Sequence, residues 1–196
     1  MTTTSHYFIG IPITSQLENT FSSWQQDLRS QLPYKQWPNK HDLHITLTFL
    51  GSVERVTIQS IQKALRNIES LPQFVLEVGD IGTFGNPKGP RILWAGVRKN
   101  KSLTLLHEKV ESSMEEFGFK PEQRAYRPHI TLAKKWNGPL DEQKIIELKD
   151  RFKRENYLLT VKEVALYQIY PKQDPKYKIV TRYNLRGENN GTTDQV

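Results

Sequence analysis

Two tetrapeptides, His44-Ile45-Thr46-Leu47 and His129-Ile130-Thr131-Leu132, repeat one order of imidazole and hydroxyl in a chain of 196 residues. With five histidines and fifteen threonines, chance supplies roughly half a His-x-Thr match, so one copy means little. Recurrence of the whole tetrapeptide is of order one in a thousand by the same counting. In an extended strand, residues i and i+2 share a face. His44 and Thr46 therefore face one way, with Thr48 continuing the row, while Leu43, Ile45, Leu47 and Phe49 face the other. His129 and Thr131 repeat the arrangement against Ile130 and Leu132. The bland alternative makes both segments core strands whose His and Thr bond locally, but polar residues rarely repeat on a buried face.

Two imidazoles beside two hydroxyls suit phosphoryl chemistry without a metal. Imidazole titrates near pH 6.5, so one ring can work neutral and the other charged. A neutral ring takes a proton from attacking water, and a protonated ring gives one to a departing ribose oxygen. The hydroxyls of Thr46 and Thr131 can hold non-bridging phosphate oxygens and keep phosphorus in line. A strained cyclic phosphodiester fits, because its leaving oxygen is already placed. The two strands look equivalent, so this reading does not assign acid and base.

The paired motifs resemble the two-histidine phosphoesterase superfamily, and more closely the bacterial and archaeal RNA 2′,3′-cyclic phosphodiesterases once described as 2′-5′ RNA ligases. Trp37 to Gly51, Arg91-Ile92-Leu93-Trp94, and Arg124 to Lys134 carry the likeness, which spans roughly residues 6 to 185. The resemblance implies a bilobal, duplicated α+β fold, with two largely antiparallel sheets flanking a central cleft and helices outside. It also implies His44 as proton donor to the 3′ oxygen and His129 as the group activating water, leaving a 2′-phosphomonoester. RNA with 2′,3′-cyclic phosphate ends, tRNA fragments among them, is the implied partner. Turnover on small cyclic nucleotides or ADP-ribose cyclic phosphate is the alternative, with a non-catalytic RNA-binding relative as a third reading. Retention of both histidines and both threonines argues against the last.

Where this family usually carries arginine five residues after the second histidine, the chain has Lys134, which keeps the charge and loses the bidentate fork. Strict alternation points Lys134 away from His129 unless the strand bends. Phe49 holds the matching position after His44. Under a pseudo-twofold, Lys134 neutralises phosphate while Phe49 either stacks on a base or joins the core. Arg127, extended before Pro128, can line the cleft for RNA or face solvent. His41 and His44 lie across a loop-to-strand junction with only Asp42 nearby, a poor zinc set. His6 and His107 have no companions, and Tyr7 and Tyr126 can serve as aromatic cleft residues but suit packing better. No metal or cofactor is expected, and no P-loop, dinucleotide-binding glycine pattern or nucleophile elbow occurs.

These residues need strands and supporting helices. Hydrophobic spacing predicts helices from Leu17-Phe21-Trp24-Leu28, Ile58-Ile61-Leu65-Ile68, Leu103-Leu106-Val110-Phe117 and Ile145-Leu148-Phe152. Ser15 to Glu18 reads as a capping box, and the stretch from Pro33 to Pro38 as a loop. Strands are predicted at Tyr7–Ile13, Leu43–Phe49, Phe74–Phe84, Arg91–Arg98, Pro128–Ala133, Tyr157–Ile169 and Tyr177–Leu185, flanking a Gly85–Pro90 turn. The strand-then-helix order recurs 85 residues apart, marking a duplication rather than a repeat array. Residues 1–186 read as one domain and 187–196 as a disordered polar tail. A net charge of +7 favours a polyanionic partner. The absence of cysteine removes disulfides and thiol chemistry. With no long apolar run, the reading is cytoplasmic, without membrane contact, and monomeric.

Overall fold

The computed structural model describes residues 5–86, 89–139 and 141–187; most of the predicted polar tail therefore lies outside the described residues. The strands are β1 (Ser5–Pro12), β2 (Tyr34–Gln36), β3 (His44–Val53), β4 (Phe74–Asn86), β5 (Gly89–Val97), β6 (His129–Trp136), β7 (Asn156–Val161), β8 (Glu163–Ile169) and β9 (Tyr177–Asn184). The helices are α1 (Ser15–Arg29), α2 (Arg55–Ala64), α3 (Lys101–Glu115) and α4 (Glu142–Phe152). The mixed α+β class is as the sequence indicates. None of the described helices is long and apolar enough to cross a membrane.

Local chemistry sets the elements. Thr14, one residue before the expected hydroxyl, caps α1 by accepting from the Leu17 N–H at 3.4 Å. Leu17, Phe21, Trp24 and Leu28 then bury one stripe of α1. The second predicted helix stays α-helical to Ala64 and tightens into a 3-10 turn over Leu65–Ser70, still burying Leu65 and Ile68. The expected loop after Pro33 contains β2, which pairs with β6 because Tyr34 packs edge-on against Trp136 at 5.1 Å.

The two expected sheets form one nine-stranded antiparallel sheet, ordered β7-β4-β5-β6-β3-β1-β8-β9 with β2 paired to β6. Its halves meet at a single pair, Ile45 opposite Ile130. Both isoleucines are wholly buried, contributing roughly 1.5–3 kcal/mol each, so the apolar members of the two tetrapeptides weld the halves. Order and helix placement repeat about this seam. Outward from it run β3-β1-β8-β9 and β6-β5-β4-β7; α1 follows β1 as α3 follows β5, and α2 follows β3 as α4 follows β6. The single strand predicted over Tyr157–Ile169 is two, broken at Lys162, with β7 and β8 near opposite ends of the sheet. One residue can bridge those ends only because the sheet curls strongly. Apolar core residues of β3 and β6 (Ile45, Leu47, Leu50, Ile130, Leu132, Ala133) are buried, while His44, Thr46, His129 and Thr131 are only half-buried.

Candidate active site

The tetrapeptides depart from simple alternation at the same place. Gly10 pairs with Thr46 and Ile9 with Thr48, so Leu47 is an extra residue in β3. Trp94 pairs with Thr131 and Leu93 with Ala133, so Leu132 is an extra residue in β6. A bulge resets which face the following residues take. Thr48 therefore leaves the histidine row and turns to α3, donating to Glu111 at 2.6 Å. Phe49, expected on the apolar face, is 62% exposed on the site face instead. Lys134 likewise turns toward His129 and Thr131. Helices hold both bulges: Gln25 of α1 donates to the Leu132 carbonyl at 2.9 Å, and the His107 ring of α3 makes a corresponding backbone contact at Leu47. His107 also stacks on Tyr126 at 3.8 Å, whose hydroxyl donates to the Thr46 carbonyl at 3.0 Å.

The result gathers His44, Thr46, Phe49, Thr131 and Lys134 around one cavity of about 140 Å³. The His129 ring stands beside it, close enough for its charge to act on His44. Arg127 is exposed and faces a different, larger cavity on the far side of His129.

Both rings are tethered alike. His44 Nδ1 donates to the Asp42 carbonyl at 2.7 Å, and His129 Nδ1 to the Arg127 carbonyl at 2.8 Å. A carbonyl can only accept, so Nδ1 carries the proton in the neutral rings and Nε2 is left for proton transfer. His44 Nε2 accepts from the Thr46 hydroxyl at 3.0 Å.

The surroundings differ. His44 stacks on Phe8 at 4.5 Å, Phe8 stacks on Tyr167 at 4.6 Å, and Tyr177 meets His44 edge-on at 5.3 Å. This aromatic wall desolvates His44 and, helped by the charge of Lys134, pulls its pKa down to about 4 against the pull of the Asp42 carbonyl. Burial also lowers the pKa of His129, which meets only the edge of Phe84 at 4.9 Å. Burial, then Lys176, lowers the pKa of Lys134. Burial thus favours the neutral form of both rings, and an anion bound beside them would draw a proton onto one.

Asp42 is the residue that spacing alone undervalued. It is buried, and its carboxylate accepts from the Lys176 and Tyr177 backbone N–H groups at 2.9 Å each, fixing the segment that walls His44. Gly10 did carry a signal, since glycine inside a strand marks close approach. A Cβ there would stand 2.8 Å from the Ile45 carbonyl oxygen and 3.3 Å from His44 Cδ2. His41 pairs with Glu18 at 3.1 Å, and among the described residues no three His, Cys, Asp or Glu side chains group to hold a metal.

The buried neutral His44 makes stability depend on pH. Its folded pKa, about 4, lies below the unfolded value near 6.5, so the unfolded chain binds more protons between them. Stability from this group is complete above about pH 6.5 and is lost as pH falls toward 4, by roughly 2–3 kcal/mol after allowing for partial exposure. Urea midpoints from pH 7 to 4 should fall more steeply in the wild type than in His44→Asn; parallel curves would contradict the assignment.

A sequence profile of the 2′-5′ RNA ligase superfamily matches residues 15–172, and the chain belongs to that family. Among curated relatives, an RNA 2′,3′-cyclic phosphodiesterase of Geobacillus stearothermophilus is 34% identical over 97% of this chain, which spans only 60% of that relative's length. The Bacillus subtilis protein of the same description is 32% identical, covering 92% of this chain and 96% of its own. The fold is shared with Escherichia coli LigT crystallised with 3′-AMP: TM-score 0.78 at 21% identity, over 93% of this chain and 99% of that one.

Proposed function

We propose that this chain hydrolyses 2′,3′-cyclic phosphate ends of RNA to 2′-phosphomonoesters by acid–base catalysis between two histidines. The observation that carries the reading is the matched pair of rings, each tethered through Nδ1 to the carbonyl two residues before it. The first of them, His44, lines a cavity together with two threonines and a lysine. The names of the curated relatives support the substrate class.

His129 Nε2 takes a proton from water as its oxygen bonds to phosphorus. The P–O3′ bond breaks, and O3′ receives a proton from His44 Nε2. Lys134 neutralises the phosphate while Thr46 and Thr131 donate to its oxygens. His44 reaches its protonated form through the anion's charge, since burial by itself favours the neutral ring. The roles of donor and acceptor follow the family likeness. An oligoribonucleotide ending in a 2′,3′-cyclic phosphate, incubated with chelator present, should lose the cyclic end; its persistence would refute the reading.

In this reading Phe49 stacks on the terminal base, supported by its exposure and its position lining the same cavity as His44 and Lys134. Phe49→Ala should reduce kcat/KM on cyclic nucleotides by roughly 5–150-fold, the range of one stacking contact, and leave a base-free cyclic ribose phosphate untouched. An equal loss on both substrates would remove the stacking role.

A further inference from the structure

The cavity on the far side of His129 is larger than the phosphate cavity, about 360 Å³ against about 140 Å³. The smaller one holds little beyond a phosphate, whereas the larger lies in the range that admits a nucleoside-sized group. Its floor is aromatic, with Phe84 and Trp94 at 5.2 Å between ring centres, and Phe84 also touches His129. Two glycines shape this floor. A Cβ on Gly82 would stand 2.1 Å from the Trp94 ring, and one on Gly96 would stand 2.3 Å from Asp80 Oδ1.

Asp80 occupies a left-handed backbone conformation at φ 47°, costly for a residue with a side chain. Its carboxylate takes a hydrogen bond from the Gly96 backbone and faces the cavity. Of the four cations that line the cavity, Arg98 is ion-paired with Glu77 at 2.7 Å, which leaves Lys99, Arg127 and Lys153 against two carboxylates, Asp80 and Glu155. Glu155 is occupied by the Tyr157 hydroxyl at 2.6 Å. An aromatic floor beside excess positive charge is the combination that binds a base together with a backbone phosphate. A terminal nucleoside brings no phosphodiester besides the one reacting; the nucleotide before it does.

We propose that this cavity is a subsite for the penultimate nucleotide of the RNA, its base against Phe84 and Trp94 and its linking phosphate among Arg127, Lys99 and Lys153. The proposal rests on the hydrolase reading for its substrate. It makes the enzyme selective for oligonucleotide ends over mononucleotides.

The test compares kcat/KM for uridine 2′,3′-cyclic phosphate with that for the dinucleotide UpU 2′,3′-cyclic phosphate. The dinucleotide should be preferred roughly ten-fold or more, and Lys99→Ala/Lys153→Ala should bring the ratio to within about two-fold of unity by lowering only the dinucleotide value. A ratio near one in the wild type, or one the double variant leaves unchanged, overturns the subsite. Calorimetric binding of uridine 2′-phosphate and UpU 2′-phosphate reads the subsite without turnover. If neither cyclic substrate is hydrolysed, the hydrolase reading fails, and the subsite stands only if UpU 2′-phosphate binds more tightly and the double variant abolishes the difference.

Discussion

Replacing either His44 or His129 by asparagine should lower kcat on a cyclic phosphate end by about 10²–10⁴-fold, as loss of a positioned acid or base does. Asparagine is the informative substitution, because its amide can still donate to the carbonyl that each Nδ1 now uses. The tether is kept and the transferable proton is removed. Circular dichroism should therefore be unchanged while turnover collapses. In the proposed mechanism the rings act on one displacement, one at each end of the bond exchange, so the double variant should be scarcely slower than the worse single one. Retention of activity to within about three-fold in either single variant would separate that histidine from the chemistry.

Lys134→Met should lower kcat/KM by about 10²-fold, the scale of losing one preorganised group aimed at developing phosphate charge. Lys134 is half-buried beside both threonines, so its charge is weakly screened and the methionine stem keeps its packing volume. Lys134→Arg should retain most activity, since a guanidinium supplies the same charge. Lys135→Met is the control. That side chain is exposed, follows the reset of β6 and should change nothing beyond about two-fold. Equal losses at both positions would reduce Lys134 to a share of general surface charge.

How far the site could be read from sequence is clearest at these residues. Strand parity correctly put His44 with Thr46 and His129 with Thr131, because period two holds over that short span. It failed one residue later. The bulge at Leu132 receives a hydrogen bond from Gln25 and the one at Leu47 from His107, remote residues that no local pattern links to a strand. Parity alone therefore misplaces Phe49, whose cleft position only the comparison with Lys134 indicates, misses the bend at Lys134 and keeps Thr48 in a row it leaves. His107, apparently without companions, proves to support β3. The duplication was legible from the repeated strand-then-helix order. The continuity of the sheet was not, since one buried isoleucine pair joins halves that could equally have stood apart. The break at Lys162 also escaped, because a single residue between two apolar runs reads as continuation. The aromatic wall around His44 comes from β1, β8 and β9, strands that lie together only once the chain ends have met.

That wall makes the two rings chemically unequal although their sequences match. Desolvation holds His44 lower than its ordinary value and leaves it dependent on a bound anion for its proton. Lys134 and Phe49, each five residues after its histidine, line the same cavity, and the proposed mechanism uses them to orient the substrate, charge against stacking.

Phosphorus-31 NMR of the product from an oligoribonucleotide 2′,3′-cyclic phosphate tests the central claim most directly. Displacement in line between His129 and His44, with O3′ as the leaving atom, predicts a 2′-phosphomonoester as the sole product. A 3′-phosphomonoester, or an unreacted cyclic end, would contradict it.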